Sequence, residues 1–226
     1  MDALGIGVPS ITCLGVAAWG AFHPRSQLFG PTVSKVEKSC ALTFDDGPNS
    51  RVTPQLLSLL ERYRITATFF VLGKYVQQDP GLLADVAARG HVIGNHTYDH
   101  PNLLFLRRKH IVEELHRCED TIVRAVGRRS HCVRPPFGFR GPQFNAAARE
   151  AGFGRVVMWS VSARDWNLQS WQRVSHRVRR AATGDILLFH DGDHRRPNAD
   201  RSHTLKALEF WLPRWQDSGF TFTSLG

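Results

Sequence analysis

Two aspartates stand side by side in the stretch TFDDGPN, directly after an apolar run. Asp45 and Asp46 would repel each other if both were ionised, unless a cation or a proton lies between them. A bound metal ion would remove this conflict, because one carboxylate can ligate the ion while its charge keeps the other carboxylate ionised. The structural alternative is that Asp45 only ends a strand and Asp46 forms a turn into the following glycine and proline.

Two histidines could complete such a metal site. His96 and His100 are four residues apart in NHTYDHP, so both can face one direction in a helical or tightly turned segment. Together with one carboxylate they make a two-histidine, one-aspartate ligand set that leaves positions open for water and substrate. This set suits zinc, cobalt, nickel or iron, and the residues alone do not choose among these metals.

Three further ionisable residues follow predicted strands, namely Arg134, Asp165 and His190. Ligands of parallel α/β folds bind beyond the carboxyl ends of the strands. We therefore expect these residues to share one site with the aspartates and the histidine pair. As alternatives, Arg134 would be an ordinary buried ion-pair residue and His190 a hydrogen-bonded core histidine.

Short apolar stretches alternate with helix-like stretches from residue 39 onward. Helices are expected to begin at Thr53 and Asp79, where a capping residue precedes proline, and to lie near 142–151, 170–182 and 203–217. This alternation predicts parallel strands with right-handed crossovers, closed into a barrel or left as an open sheet. The strands are predicted at 39–44, 66–73, 91–95, 131–134, 155–161, 185–190 and 220–224.

The composition favours one domain and argues against a nucleic-acid partner. A chain of 226 residues can bury one sizeable core, and its formal net charge of +9 favours anionic partners in general. The basic residues, however, are scattered along predicted helices, without the aromatic residues that a nucleic-acid platform interleaves with them. We expect an N-terminal segment and linker over 1–37 and one domain over 38–226.

The N-terminal segment is apolar. Residues 3–22 carry no charge over a length that could span a bilayer. Their hydrophobicity is weak, and no basic residue precedes them as in a secretory signal. The segment is therefore either a membrane anchor or export signal, or a stretch that packs on the domain.

From residue 38 to 226 the chain resembles the polysaccharide deacetylases of carbohydrate esterase family 4. Four of the family's five motifs are intact: TFDDGP at 43–48, HTYDHP at 96–101, RPPFG at 134–138 and LFH at 188–190. The remaining motif, the fourth in chain order, is usually D-x-x-D-W and reads SARDW here, with Ser162 in place of the first acid. We expect this departure to affect the local support of Asp165 more than the activity.

The resemblance implies a distorted (β/α) barrel of about seven parallel strands. It also implies removal of N-acetyl groups from a glycan such as peptidoglycan or a chitin-like oligomer, with a divalent metal that we expect to be Zn²⁺, or else Co²⁺ or Ni²⁺. Residue roles follow from the matched motifs: Asp45 as general base; Asp46, His96 and His100 as metal ligands; Arg134 paired with Asp45; His190 as general acid held by Asp165; and Phe137, Leu188 and Trp166 as substrate-binding residues. For Leu188 and Trp166, plain packing is the alternative.

The loop DGDHRRPNADRSH at 191–203 directly follows the expected acid. It would form a wall of the substrate groove, where Arg195, Arg196 and Arg201 favour an anionic glycan or a phosphorylated sugar, or else it is a solvated loop. His194 and His203 are predicted to be surface residues.

Two other functions stay open at this stage. One is deformylation or deacetylation of a lipid-linked sugar, and the other is glycan binding without catalysis. We expect a monomer in the cell envelope or at a membrane through residues 3–22, or otherwise a secreted or cytoplasmic protein.

Overall fold

Seven parallel strands form one sheet in the order β5-β4-β3-β2-β1-β7-β6. The computed structural model describes residues 11–167 and 169–226. Helices cover the strands, so the predicted α/β class with about seven parallel strands is confirmed. The strands are β1 Ala41–Gly47, β2 Thr68–Val71, β3 Val92–Asn95, β4 Cys132–Val133, β5 Arg155–Val156, β6 Val161–Ser162 and β7 Ile186–His190.

The helices fill the intervals between strands. Asp79 caps α4 as predicted, because its side chain accepts a hydrogen bond from the backbone N–H of Leu82. The predicted cap at Thr53 is wrong, since Thr53 is the first helical residue and its hydroxyl bonds elsewhere. The helices are α1 Ile11–Phe22, α2 Thr53–Arg62, α3 Gly73–Gln78, α4 Pro80–Ala88, α5 Arg108–Val126, α6 Phe144–Glu150, α7 Trp171–Val178 and α8 Ser202–Asp217.

The sheet curls because its two edge strands are consecutive in the chain. Only residues 157–160 link β5 at one edge to β6 at the other. The prediction of one strand over 155–161 is therefore wrong. The backbone leaves the strand path here because the carbonyls of Val157 and Met158 accept hydrogen bonds from the Arg134 guanidinium.

The strand predicted at 220–224 is also wrong and is reduced to a single bridge between Phe222 and Cys40. Both edges of β1 are already occupied by β2 and β7. The C-terminal segment can therefore pair only with Cys40, just before β1 begins.

Alternation along β1 and β7 separates the core from the site. Side chains of successive strand residues face opposite sides of a sheet. Leu42, Phe44, Leu187 and Phe189 belong to the large apolar core shared with the helices. The residues between them face the inside of the curl, and the register pairs Thr43 with Leu188 and Asp45 with His190.

Residues 33–36, which the sequence assigned to a linker, lie against the barrel. The Val33 N–H donates to the Val156 carbonyl at the end of β5, and the Val33 carbonyl accepts from the Met158 N–H. The Val36 N–H donates to the Gly184 carbonyl. Residues 3–10 of the predicted apolar segment lie outside the described residues. Within the described part of the chain, no helix has the length and hydropathy needed to cross a membrane.

Candidate active site

A β-bulge lets two adjacent aspartates face the same side. The register between β1 and β2 shifts between Asp45 and Gly47, and Asp46 has a positive φ of 70°. In a regular strand the second carboxylate would point to the opposite face, but a bulge redirects the extra residue. A side chain at Gly192 would collide with the Asp46 carbonyl oxygen, so glycine there permits the bulge to pack against the chain after β7.

Asp46 meets both histidines of the second motif. Its Oδ1 atom lies 3.3 Å from Nε2 of His100 and 3.6 Å from Nε2 of His96. His96 Nδ1 lies 2.8 Å from the Arg134 carbonyl oxygen. A donated Nδ1–H there leaves Nε2 free to bind an ion, as is common for metal-ligating histidines. One ligand atom from each of the three residues lies within 4.8 Å of the others.

The protonation states of this cluster fit a metal ion. Burial alone would raise the pKa of Asp46, but the neighbouring imidazoles, led by His194, hold it well below its usual range. Burial lowers the pKa of His100 to about 2, and the charge of Asp46 offsets this only in part. An ionised carboxylate and a neutral imidazole are the forms that bind metal.

Two buried atoms of the cluster lack a hydrogen-bond partner. These are Oδ1 of Asp46 and Nδ1 of His100. Buried polar atoms are normally hydrogen-bonded, so the unpartnered Asp46 oxygen, facing two imidazoles, is consistent with a divalent cation. Asp46, His96 and His100 therefore form a site that could hold a metal ion.

Asp45 is held by a buried arginine rather than by the histidines. Arg134 is fully buried, and its Nη1 donates to Oδ1 of Asp45 at 2.7 Å and to the Thr43 hydroxyl at 2.8 Å. Its guanidinium also stacks 4.1 Å above the Phe70 ring. Burial lowers the pKa of Arg134, while the paired carboxylate opposes that shift. The other oxygen of Asp45 lies 3.7 Å from His96 Nε2, beside the candidate metal ligands.

His190 and Asp165 form a second charged pair. Nδ1 of His190 lies 2.8 Å from Oδ1 of Asp165, whose Oδ2 accepts the His190 backbone N–H. Burial alone would lower the pKa of His190, but the Asp165 carboxylate raises it to about 9. Burial alone would raise the pKa of Asp165, and the charge and hydrogen bonds of His190 lower it instead. The imidazole is therefore protonated at neutral pH.

The start of α8 supports Asp165 where the usual acid is replaced by Ser162. Thr204 donates its hydroxyl to Oδ2 of Asp165 at 2.7 Å. His203 Nε2 lies 2.8 Å from the Asp165 carbonyl oxygen. His203 is buried, so the prediction that it is a surface residue is wrong. The sequence analysis did not predict that Thr204 and His203 support Asp165, because nothing in the stretch RSHT at 201–204 indicates that this stretch lies beside the fourth motif.

One of the three arginines in the loop after β7, Arg201, does not lie where the sequence predicted. Arg201 is buried and donates to the carbonyls of Gly192 and Trp166 and to the Asp193 carboxylate. It therefore ties the loop to the fourth motif and does not face a substrate. Arg195 and Arg196 are exposed, and their preference for an anionic glycan stays a prediction.

The prediction that His194 is a surface residue is also wrong, because its side chain lies against the candidate metal ligands. Its ring stacks on His100 with centroids 4.2 Å apart. Its Nδ1 lies 3.7 Å from Oδ2 of Asp46. The loop thus brings a third imidazole over the candidate metal ligands. The sequence signal that could have indicated this position is the polar run DGDH at 191–194, directly after His190.

The three predicted substrate-binding residues line the same opening. Phe137 contacts the His100 ring at 4.4 Å and is 43% exposed. Trp166 contacts the His190 ring at 5.7 Å and is 44% exposed. Leu188 is buried on the inner face of β7, two residues before His190. Ring contacts, hydrogen bonds and strand register therefore link the ten predicted site residues into one cluster.

A buried acid next to the site was not predicted. Asp191 is buried, and burial raises its pKa to about 7. The Thr53 hydroxyl donates to Oδ2 of Asp191 at 2.5 Å and accepts the Asn49 N–H at 2.9 Å. This hydroxyl joins the start of α2 to the chain that follows β7.

We expect Thr53→Val to lower the free energy of unfolding by about 1–3 kcal/mol, because it leaves buried Asp191 and the Asn49 N–H without partners. Urea denaturation at neutral pH measures the change. Thr121→Val is the matched control, since that buried hydroxyl only bonds the carbonyl of Cys118 one turn earlier in α5. Equal destabilisation by both variants would contradict the assignment to Thr53.

Comparisons with known proteins agree on one family. The family model described as polysaccharide deacetylase matches residues 32–156. A peptidoglycan-N-acetylglucosamine deacetylase of Bacillus cereus is 37% identical over 84% of this chain and 87% of its own length. A chitooligosaccharide deacetylase of Sinorhizobium fredii is 34% identical over 89% and 94%. A peptidoglycan-N-acetylglucosamine deacetylase of Listeria monocytogenes is 37% identical over 85% of this chain, which spans only 39% of that relative.

Solved structures give the same fold. The Bc1960 peptidoglycan N-acetylglucosamine deacetylase superposes with a TM-score of 0.74 at 31% identity, covering 84% of this chain and 86% of its own. A family 4 pseudoenzyme of Bacillus anthracis superposes with a TM-score of 0.76 at 24% identity, covering 86% and 67%. Because one neighbour is described as a pseudoenzyme, likeness of fold alone does not establish activity, and the site residues carry that argument.

Proposed function

Because the chain belongs to the polysaccharide deacetylases of carbohydrate esterase family 4, we propose that it removes N-acetyl groups from an N-acetylated glycan in a metal-dependent hydrolysis. One observation carries the proposal. A carboxylate held by a buried arginine lies on one side of the candidate metal ligands, and a protonated histidine lies in the same opening. A glycan-binding module needs neither a base nor an acid.

Asp46, His96 and His100 would hold the metal, which we propose to be Zn²⁺, with Co²⁺ or Ni²⁺ as substitutes. When bound, a divalent ion polarises the acetamide carbonyl and lowers the pKa of water. The chain supplies one negative ligand and two neutral ones. His194, stacked on His100, shields this part of the site from solvent.

Asp45 would act as the general base. Its Oδ1 is occupied by Arg134, so Oδ2, on the His96 side, is the atom that would take a proton from the attacking water. Arg134 also donates to the Thr43 hydroxyl and to the carbonyls of Val157 and Met158, and these bonds fix the orientation of the pair. A planar guanidinium suits this role better than a lysine ammonium.

His190 would act as the general acid. Its raised pKa keeps it protonated at neutral pH, so its Nε2–H can be given to the departing sugar amine. Asp165 holds Nδ1 and fixes the direction of that proton. The acid and the base lie on neighbouring strands in register, since Asp45 pairs with His190.

The remaining residues would bind the acetyl group. Phe137 has a positive φ of 59° in the turn after Arg134, and we assign its backbone N–H to the developing oxyanion. Leu188 and Trp166 would wall the pocket for the methyl group on the His190 side. Trp166 also offers an exposed ring to the sugar.

The substrate class follows from the named relatives. Peptidoglycan and chitooligosaccharides both carry N-acetylglucosamine, and the relatives are named for these two substrates. We propose an N-acetylglucosamine-containing glycan as the substrate and the cell envelope as the place of action.

Acetate release tests the proposal. The purified chain, loaded with zinc, is expected to release acetate from chitin oligomers or peptidoglycan, and acetylated xylan in the same panel tests whether acetyl groups on oxygen are also removed. Removal of the metal with a chelator should abolish release, and about one equivalent of zinc should restore it. Elemental analysis accompanies each sample.

Two results would count against the proposal. One is full activity in a sample shown to be free of metal. The other is glycan binding without any acetate release after loading with zinc, cobalt or nickel, which would identify a silent binding module.

A further inference from the structure

A series of aromatic rings leads from the candidate active site to α1. The Phe137 ring, next to His100, lies 5.5 Å from the Phe139 ring. Phe139 in turn lies 4.8 Å from Phe22, the last residue of α1. Trp19 precedes Phe22 by one helical turn, so the two side chains are neighbours on the helix surface. The wall of the opening thus continues onto the N-terminal helix.

Most of these rings are open to solvent. Phe22 is 51% exposed and Trp19 is 50% exposed, while Phe139 is partly buried between Phe22 and Phe137. Contiguous exposed apolar surface that adjoins a functional site commonly marks a place where a ligand binds.

A buried arginine holds the chain that directly follows α1 beside Phe139, and its backbone N–H donates to the Ala21 carbonyl in the last turn of α1. Arg140 has no exposed surface, and its Nη2 donates to the carbonyls of Ser26 at 2.5 Å and His23 at 3.1 Å. A cation near the C-terminal end of a helix also interacts favourably with the helix carbonyls. The position of Phe22 relative to the site is therefore defined by a buried side chain.

The last turn of α1 lies against the returning chain at Gly20. An ideal Cβ at Gly20 would lie 2.5 Å from Cδ2 of Leu28 and 3.0 Å from Cε2 of Phe29. Glycine permits this close approach, which turns Trp19 and Phe22 away from the contact and toward solvent.

On the basis of the proposed function, we infer that Trp19 and Phe22 form a distal subsite for the glycan chain. The subsite binds sugar units beyond the one that carries the reacting acetamide. The apolar C–H face of a sugar ring packs on the face of an aromatic ring. The rings of Trp19 and Phe22 continue from Phe137, and α1 is held at a fixed distance from the reacting residues. A glycan chain that extends out of the site needs such a fixed distance, whereas a lipid surface does not, so these features favour a glycan.

Binding of short and long oligomers tests this inference. Asp45→Asn serves as the background, so that bound oligomers are not deacetylated, and calorimetry gives Kd for chitobiose and chitohexaose. In this background Phe22→Ala is expected to raise the Kd of chitohexaose about tenfold, which corresponds to ~1.4 kcal/mol. The Kd of chitobiose should stay unchanged, because the disaccharide does not reach α1. Trp19→Ala should have the same selective effect.

Two variants separate ring stacking from other roles. Phe22→Leu keeps apolar area but has no flat ring, so it should weaken chitohexaose binding about as much as Phe22→Ala. Leu14→Ala changes another exposed apolar residue of α1 and should leave both Kd values unchanged.

Several outcomes would overturn the inference. These are an unchanged Kd for chitohexaose, no binding of chitohexaose, or an equal rise for both oligomers, which would indicate a general structural role. Loss of binding to phosphatidylglycerol vesicles in Phe22→Ala and Leu14→Ala, with oligomer binding intact, would identify a lipid surface. Failure of the proposed function is distinct, since the wild-type chain would then release no acetate even where binding depends on oligomer length.

Discussion

Asp45→Asn is expected to lower kcat for acetate release by about 10³-fold, within the range that general-base catalysis contributes. An amide has the shape of the carboxylate but cannot take a proton from water. The metal should remain bound, because Asp46, His96 and His100 are unchanged. Steady-state kinetics and elemental analysis of the same samples measure the two effects.

Asp99→Asn is the matched control. Asp99 lies in the same histidine motif as the ligands, but its exposed carboxylate pairs with Arg117 on the surface. Its substitution should leave kcat unchanged. Turnover retained by Asp45→Asn would refute the base assignment, and loss of metal together with activity would identify Asp45 as a ligand instead.

Asp165→Asn is expected to move the alkaline limb of the pH profile downward. His190 acts in its protonated form, so activity should fall as pH rises through its pKa of about 9. Without the Asp165 charge and its hydrogen bond, burial lowers that pKa, and only the weaker effects of Asp46 and Asp45 oppose the shift. At pH 8 the variant should therefore lose most of its activity, whereas at lower pH it retains more. The pH dependence of kcat/KM measures the shift.

The same pair affects stability with a defined sign. The pKa of His190 is raised in the folded state, so while Asp165 is ionised the pair contributes its full stabilisation below pH 6.5, and this contribution is lost as pH rises through about 9. Because the pKa of Asp165 is lowered, the contribution is lost on the acid side only as pH falls through that lowered pKa. Asp165→Asn should remove that dependence. Asp200→Asn, at an exposed carboxylate in the loop after β7, should leave the alkaline limb of both profiles in place. If the alkaline limb of the kcat/KM profile stays in place in Asp165→Asn, deprotonation of His190 does not cause that limb.

Sequence patterns were enough to predict the fold class and the residue types of the candidate site. Alternating apolar stretches predict a parallel α/β sheet, and the motifs around Asp45, His96, Arg134 and His190 each occupy contiguous residues. Local motifs can be recognised because their chemistry depends on neighbours in the chain. Their convergence follows from the rule that parallel strands end at one edge.

The contacts that hold these residues in place could not be predicted from local patterns. Asp46 reaches its histidines through a bulge, Arg201 and Thr204 support the fourth motif from the start of α8, and Arg140 holds α1 beside the opening. Each of these contacts joins segments that are far apart in sequence, apart from the bulge, which depends on the register with β2. Pattern and propensity describe a residue's near neighbours, whereas buried polar contacts depend on which distant group the completed fold brings within hydrogen-bond reach.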